Sequence, residues 1–248
     1  LGIPFERINL VQGDSDRLIA GGGTGGSKSL MVSGTAIVEA SDKVIAAGRQ
    51  IAASVLEAAM ADIEFRAGNF AIVGTDRQIT IMDLARQLHA GLALPAEGPD
   101  SLDVAHVSDG APSAYPNGCH VAEVEVDPET GTVTVERYSF VNDFGVVINP
   151  MLVEGQAHGG IAQGIGQALL EATAYDAMGQ LLSGSYMDYA LPRADHVPVF
   201  VSASHPVPAT TNPLGAKGCG EAGCAGALPS VMTALIHALS ACGITRIG

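Results

Sequence analysis

The chain has 248 residues, 47% of them hydrophobic, which is enough for a packed core in one large domain or two smaller ones. Twelve Lys and Arg side chains stand against 26 Asp and Glu, and the resulting formal charge of −14 repels nucleic acid and anionic membranes. We therefore expect no nucleic-acid partner, and we expect no membrane span because no uninterrupted apolar run reaches about 18 residues.

The first quarter of the chain combines a glycine-rich loop with a long helix. Alternating apolar residues Ile8, Leu10 and Val11 predict a short strand, which a Gly- and Asp-rich turn follows at 13–16. The loop AGGGTGGSKS comes next. From about residue 34 to 61, apolar side chains recur every three or four positions, which predicts a helix.

The following segment predicts a hairpin, a helix and a long loop. Residues 63–80 alternate between apolar and polar side chains, with Gly68 and Asn69 as turn residues of a two-stranded hairpin. Residues 81–92 return to helical spacing. Residues 92–117 are rich in Pro, Gly, Ser and Asp, so we expect a loop near which two subdomains meet.

The second half predicts another hairpin and two more helices. Residues 120–145 form two alternating runs around DPETG, where proline fixes φ and glycine permits positive φ. GQAHGGIAQGIGQALLEATAY (155–175) and KGCGEAGCAGALPSVMTALIHALSA (217–241) each predict a glycine-rich loop leading into a helix. Hairpins and long helices without regular βαβ spacing predict an α+β fold with mixed or antiparallel sheets.

The cysteine pattern indicates a reducing compartment. The chain has no CxxC pair and no histidines at zinc-site spacing, so we predict neither a structural zinc site nor a disulfide framework. We therefore expect a cytoplasmic location. The four cysteines are Cys119, Cys219, Cys224 and Cys242.

The first glycine-rich loop fits neither of two familiar phosphate-binding motifs. A Walker A alignment puts Ser27 where the motif needs its second glycine. Gly21, Gly23 and Gly26 spell GxGxxG, but residues 17–20 make a poor buried strand, and no acidic residue lies about 20 positions further on within a βαβ unit. The alternatives left are a ligand loop and a plain turn capped by Ser27 or Ser29.

Two side chains in the later glycine-rich stretches are candidates for chemistry. Gln163, five residues after His158, carries an amide that can pair with a heterocycle edge, although it can equally cap a helix. Glu221 is the only charged residue between Lys217 and the last helix, so we expect apolar surroundings and a candidate general base. Its alternative role is an acid stabilised by the helix dipole.

Six stretches occur in the order GDSDRLIAGGGTGGSKS, YPNGCHVAEVEVDPETG, NDFGVVINP, EGQAHGGIAQGIGQAL, GSYMDYALPRAD and NPLGAKGCGEAGCAGALP. Together they resemble the C-terminal half of the large subunit of the molybdenum hydroxylases, the xanthine dehydrogenase, aldehyde oxidase and carbon monoxide dehydrogenase family. The resemblance covers nearly the whole chain. It implies that residues 1–248 form the C-terminal molybdopterin-binding region, with the α+β fold of that family's molybdenum-cofactor-binding domain.

The resemblance also implies an activity, cofactors and partners. The family hydroxylates an aldehyde or N-heterocycle carbon with oxygen derived from water. Its cofactor is molybdenum with molybdopterin, expected here as the cytosine dinucleotide. Electrons leave through Fe–S clusters and FAD on partner subunits or domains. The implied partners are thus the N-terminal half of the large subunit, the Fe–S and FAD subunits, and a small-molecule substrate.

The family's functional positions fall on three parts of this sequence. Glu221 matches the active-site glutamate, the base that takes up the proton lost by the hydroxylating oxygen. Gln163 matches a glutamine that binds the cofactor. No side chain of this chain is implied as a metal ligand. The remaining cofactor-binding positions are Gly22, Gly23, Thr24, Gly25, Gly26, Ser27, Lys217, Gly218, Cys219 and Gly220.

The sequence departs from the family pattern in its extent. The N-terminal half, with further cofactor loops and the substrate loop, is missing, and the tail after the last helix is short. We therefore expect a fragment or a split subunit that does not bind the cofactor tightly alone. Carbon monoxide oxidisers carry an aromatic residue where this chain has Gly25, which favours an aldehyde or N-heterocycle. Carbon monoxide oxidation and a non-catalytic paralogue remain the alternatives.

Overall fold

The computed structural model describes residues 1–247 and divides the chain into two units. Unit 1 comprises Leu1–Gly23 and Val32–Gly110, and unit 2 comprises Thr24–Met31 and Ala111–Gly248. The helices are α1 (Ser29–Val55), α2 (Ile81–His89), α3 (Pro150–Leu169) and α4 (Ala222–Ser240). The strands are β1 (Ile63–Arg66), β2 (Asn69–Ile72), β3 (Gln78–Thr80), β4 (Asn117–Val126), β5 (Val133–Asp143) and β6 (Phe200–Ser204). Short 3-10 turns lie at Phe5–Arg7, Met60–Asp62 and Ala194–His196.

Each unit contains one three-stranded sheet. In unit 1, β1, β2 and β3 pair in that order and are antiparallel throughout. In unit 2, β4 and β5 are antiparallel, whereas β5 and β6 run parallel. The predicted α+β class with mixed and antiparallel sheets is confirmed.

The core of unit 1 lies between the second half of α1 and the sheet. Ile51 and Leu84 are almost fully buried there, and Phe70 from β2 has no exposed surface. Burial of one such side chain contributes about 1.5–3 kcal/mol. The Phe70 ring sits directly on Gly48 of α1, where a Cβ would collide with it. A helix glycine, which costs about 1 kcal/mol relative to alanine, thus makes room for the largest core side chain.

Residues 63–80 were predicted as a two-stranded hairpin but form the three strands β1, β2 and β3, and the turn between the first two strands also differs. Ala67 (φ 47°) and Gly68 (φ 87°) are the turn residues, whereas Asn69 already belongs to β2. Two consecutive residues with positive φ are typical of the type I′ turns that match the twist of paired strands. Thr80 then begins α2, because its Oγ1 accepts a hydrogen bond from the Asp83 N–H at 2.9 Å.

The N-terminal predictions were partly wrong. Helix α1 was expected at about 34 to 61 but spans Ser29–Val55. Residues 8–11 form no strand in the described chain, and Ile8 and Leu10 are largely exposed. An alternating pattern becomes a strand only when a neighbouring strand satisfies its backbone groups, and none pairs with this segment.

The long hairpin of unit 2 was predicted correctly. Asn117 pairs with Asp143 at one end and Val126 with Val133 at the other. In the turn, the Asp127 carboxylate accepts hydrogen bonds from the Glu129 N–H at 2.8 Å and the Thr130 hydroxyl at 2.7 Å. Strand β6 was not predicted. It follows a stretch without clear periodicity, and its pairing with β5 links segments about 60 residues apart in sequence.

Helices α3 and α4 cross at a glycine contact. A Cβ on Gly160 would lie 2.9 Å from the Cys224 backbone nitrogen, and one on Gly164 would lie 2.6 Å from the Ala227 Cβ. The prediction of a glycine-rich entry loop at 155–175 was therefore wrong. Residues 155–169 of this stretch lie within α3, which begins at Pro150 and ends at Leu169, and the buried glycines allow the two helices to approach closely.

Helix α4 has the length and composition of a membrane-crossing helix, with a mean hydropathy of 1.5. The expectation of no span rested on uninterrupted apolar runs, which Ser230, Thr233 and His237 break. Every fourth residue from Gly223 to Leu235 is buried in unit 2, whereas only 17% of the most apolar part of the helix is buried among the described residues. This buried stripe consists of Gly223, Ala227, Val231 and Leu235. The absence of a span stays a prediction.

Candidate active site

The glycine loop before α1 leaves its backbone uncovered. Residues 22–26 are all exposed, and a Cβ on any of the four glycines would meet no atom within 4 Å. Gly23 (φ 68°) and Gly26 (φ 64°) adopt left-handed backbone conformations that glycine tolerates without strain. The peptide N–H and C=O groups of this loop are consequently open to a ligand.

Ser27 joins this loop to the segment that precedes α4. It is half-buried, unlike its exposed neighbours, and its φ of 55° is rare for a residue with a side chain. Gly218 is buried against it, since a Cβ there would lie 2.7 Å from the Ser27 Cβ and nearer still to the Ser27 carbonyl oxygen. Only glycine fits at position 218 with this backbone arrangement.

Glu221 lies at the N-terminus of α4 and is bound by Ser27. The Ser27 hydroxyl donates to the Glu221 Oε2 at 2.8 Å, and the Glu221 backbone N–H donates to the Ser27 Oγ at 3.1 Å. Glu221 is the N-cap residue of α4, but its side chain makes no capping bond to its own helix. The expected apolar surroundings are a misprediction, because Glu221 is exposed in this chain.

Gln156 is a site residue that sequence reasoning missed. A Cβ on Gly220 would lie 3.6 Å from the Gln156 Oε1 and 3.3 Å from the Ser27 Oγ, so both side chains flank the same point. Gln163, the glutamine that the sequence indicated, is exposed on α3 two turns further along and stays a predicted cofactor contact. The sequence feature that could have identified Gln156 is its spacing of seven residues from Gln163. In a helix this spacing puts both glutamines on one face, but the argument applies only once the segment is known to be helical.

Lys217 forms an ion pair with Asp143. Its Nζ lies 2.5 Å from the Asp143 Oδ2, and both side chains are about 10% exposed, at 11% and 10% respectively. Burial would raise the pKa of Asp143, yet hydrogen bonds from Lys217 and from the Val207 and Gly145 N–H groups lower it to about 2. The Lys217 ammonium is therefore committed to anchoring the loop that carries Glu221.

The remaining predicted residue of this loop, Cys219, is half-buried. Burial raises the pKa of its thiol above the ordinary value, so the thiol form dominates near neutral pH. Within residues 1–247 no cluster of three His, Cys, Asp or Glu side chains has metal-site geometry. The site in unit 2 therefore consists of one carboxylate, one hydroxyl, one amide side chain and open glycine backbone.

Comparison with known proteins identifies relatives along the whole chain. The chain is 36% identical over 248 residues to the carbon monoxide dehydrogenase large chain of Hydrogenophaga pseudoflava. The match covers 100% of this chain and 31% of that protein. It is 36% identical over 245 residues to the nicotine 6-hydroxylase large subunit of Paenarthrobacter nicotinovorans, covering 98% of this chain and 30% of that protein. The chain thus spans about a third of the length of these relatives.

Solved structures agree with the sequence relatives. A carbon monoxide-reduced Cu,Mo-CO dehydrogenase superposes with a TM-score of 0.90 at 31% identity, covering 100% of this chain and 31% of that one. Quinoline 2-oxidoreductase from Pseudomonas putida 86 gives a TM-score of 0.75 at 33% identity, covering 88% of this chain and 28% of that one. The sequence model of the molybdopterin cofactor-binding domain matches residues 1–198. The chain belongs to the molybdopterin cofactor-binding domain family.

Proposed function

We propose that this chain is part of the large subunit of a molybdenum-dependent hydroxylase and that Glu221 is its catalytic base. The substrate that we propose is an aldehyde or an N-heterocycle, hydroxylated at an electron-poor carbon with oxygen from water. The observation that carries the proposal is the geometry of Glu221. Its exposed carboxylate is hydrogen-bonded at 2.8 Å to Ser27, which directly follows Gly25 and Gly26 in the chain.

The residues present fit a pterin cofactor with a phosphate tail. Both groups are recognised through many hydrogen bonds, and backbone amides of glycine loops and helix N-termini suit the phosphates. The open glycines Gly22, Gly23, Gly25 and Gly26 provide such amides, because within residues 1–247 no atom beyond their chain neighbours lies within 4 Å of their Cβ positions. The Gln156 amide can both donate to and accept from a heterocycle edge. We propose the same for Gln163.

Within this site each residue of the chain has a separate task. The bound molybdenum cofactor would supply the two-electron redox chemistry and the activated oxygen. Glu221 accepts a proton through its carboxylate, which is the step that only a positioned base can provide. Lys217 holds the loop through Asp143 and does not itself act on substrate. Gly218, Cys219 and Gly220 shape the approach to the base.

The proposal also specifies the chemical form of the cofactor and the partner subunits. We propose molybdopterin cytosine dinucleotide as the form bound, with Fe–S and FAD centres on partner subunits or domains. The rest of the large subunit would complete the site, because the relatives are about three times as long as this chain. We propose a small-molecule substrate, no nucleic-acid partner and a cytoplasmic location.

Carbon monoxide is a second candidate substrate. The carbon monoxide dehydrogenase large chain is as similar to this chain as the nicotine 6-hydroxylase large subunit, at 36% identity each. The solved CO dehydrogenase also superposes with a TM-score of 0.90. The family resemblance implies an aromatic residue in carbon monoxide oxidisers where this chain has Gly25, and on that basis we propose the larger substrates instead.

The proposal is tested with the large subunit that contains this chain, produced together with Fe–S and FAD subunits. We expect molybdenum and a cytosine nucleotide in the purified complex, and dye reduction with an aldehyde or N-heterocycle in preference to carbon monoxide. In this complex Glu221→Gln should retain the cofactor and lower kcat by several orders of magnitude, because only the base is lost. A complex with confirmed cofactor supply that never acquires molybdenum would instead identify a non-catalytic paralogue.

A further inference from the structure

We propose that Ser27 is a positioning residue that fixes the Glu221 carboxylate in its working orientation. This inference rests on the proposed function, since it concerns the base of that reaction. The two residues are 194 positions apart in sequence and share two hydrogen bonds. One hydroxyl group therefore contacts both the main chain and the side chain of the base.

The two hydrogen bonds have different consequences. The Glu221 N–H, which donates to the Ser27 Oγ at 3.1 Å, is one of the amides that a helix N-terminus leaves without an internal partner. That bond alone would only cap α4. The second bond, from the Ser27 hydroxyl to the Glu221 Oε2 at 2.8 Å, restricts the side chain itself. A glutamate side chain otherwise populates many rotamers, most of which would point the carboxylate elsewhere.

The backbone around Ser27 is built for this contact. Its φ of 55° is an unfavourable conformation for serine, and such conformations persist where the surrounding structure enforces them. The enforcing neighbour is Gly218, which packs against the Ser27 carbonyl and Cβ so closely that no side chain fits there. If this position were only a solvent-exposed turn, a glycine could adopt the same positive φ without strain and without such packing.

The arrangement also links the base to the cofactor loop. Ser27 directly follows Gly26, the last of the open glycines that we propose as cofactor contacts. A shift of this loop moves the Ser27 hydroxyl, and the Glu221 carboxylate loses its donor. The carboxylate is thus held in place only when the loop takes up the conformation described here.

The test uses the assembled holoenzyme and compares Ser27→Ala with Ser27→Gly, Glu221→Gln and a control. Ser27→Ala removes only the hydroxyl. Ser27→Gly removes the hydroxyl and also relieves the backbone strain of the positive φ. Comparing it with Ser27→Ala separates the effect of strain from that of the lost hydrogen bonds, and it replaces the alanine variant if that variant folds poorly. Ser33→Ala, which removes an exposed hydroxyl from α1, is the control and should match the wild type.

Per bound molybdenum, we expect both Ser27 variants to lower kcat by roughly tenfold to a hundredfold with KM changed less than about twofold, because the base is misplaced. Hydrogen exchange of the peptide around 217–225 should accelerate in both, since the Glu221 N–H loses its acceptor. If both Ser27 variants keep the wild-type kcat per molybdenum while Glu221→Gln is inactive, the positioning role is overturned. Ser27 would then only cap helix α4. Normal turnover of Glu221→Gln would overturn the proposed function as well.

Discussion

Two glycines of helix α3 should respond oppositely to the same substitution. Gly155 is exposed, and a Cβ there meets nothing within 4 Å, so Gly155→Ala should stabilise the helix by about 0.5–1 kcal/mol. Gly164 is buried, and its Cβ would lie 2.6 Å from the Ala227 Cβ of α4, roughly 1 Å closer than carbon atoms tolerate. Gly164→Ala gains the same helix propensity but must push the two helices apart.

Overpacking of this kind costs about 1–3 kcal/mol. Because the propensity gain is common to both variants, the difference between their unfolding free energies isolates the packing cost. The chain has no tryptophan, so urea unfolding is followed by circular dichroism at the helix band. A difference under about 0.5 kcal/mol between the variants would refute the close approach of α3 and α4 at Gly164.

Two further substitutions test how the loop before α4 is held. Asp143→Asn leaves the nearly buried Lys217 ammonium without its carboxylate and should cost about 1.5–3 kcal/mol at pH 7, measured by urea unfolding. Since the pKa of Asp143 is lowered from 3.8 to about 2, the stability that its carboxylate contributes is complete above about pH 5 and decreases as the pH falls through about 2. The variant should lack this pH dependence. Gly218→Ala forces a Cβ to 2.7 Å from the Ser27 Cβ, so it should cost about 1–3 kcal/mol and also lower kcat per molybdenum in the holoenzyme. An alanine variant with wild-type stability and turnover would contradict the contact between these loops.

Local sequence patterns were sufficient for the elements that depend on local interactions. The β4–β5 hairpin was predicted because its period-two alternation is long and the turn Asp127–Thr132 contains its own hydrogen-bonding side chains. Strand β6 and the missing strand at residues 8–11 depend on pairing with distant segments. Alternation alone does not determine whether a partner strand is available, so these two predictions failed in opposite directions.

The site was predicted from sequence only in part, because its contacts also join segments that are distant in the chain. The glycine loop and the segment from Lys217 to Glu221 were singled out, but their direct contact through Ser27 joins positions 194 apart. Gln156 was missed because the stretch around it was taken for a loop, in which a helix-face argument does not apply. Glu221 was expected in apolar surroundings because its sequence neighbours are small and uncharged, yet small residues leave a carboxylate exposed.

Glycine serves two distinct physical purposes in this chain, and the second supports the first. At residues 22–26 the missing side chains leave backbone open, whereas Gly223 in the first turn of α4 is buried with its Cβ position 2.5 Å from the Ala157 carbonyl oxygen. Gly223 is two residues after Glu221, and Ala157 directly follows Gln156. The close contact between α3 and α4 therefore fixes the start of α4 beside Gln156 and with it the backbone of Glu221. The packing glycines therefore affect the site by fixing the position of the Glu221 backbone, without contacting a ligand themselves.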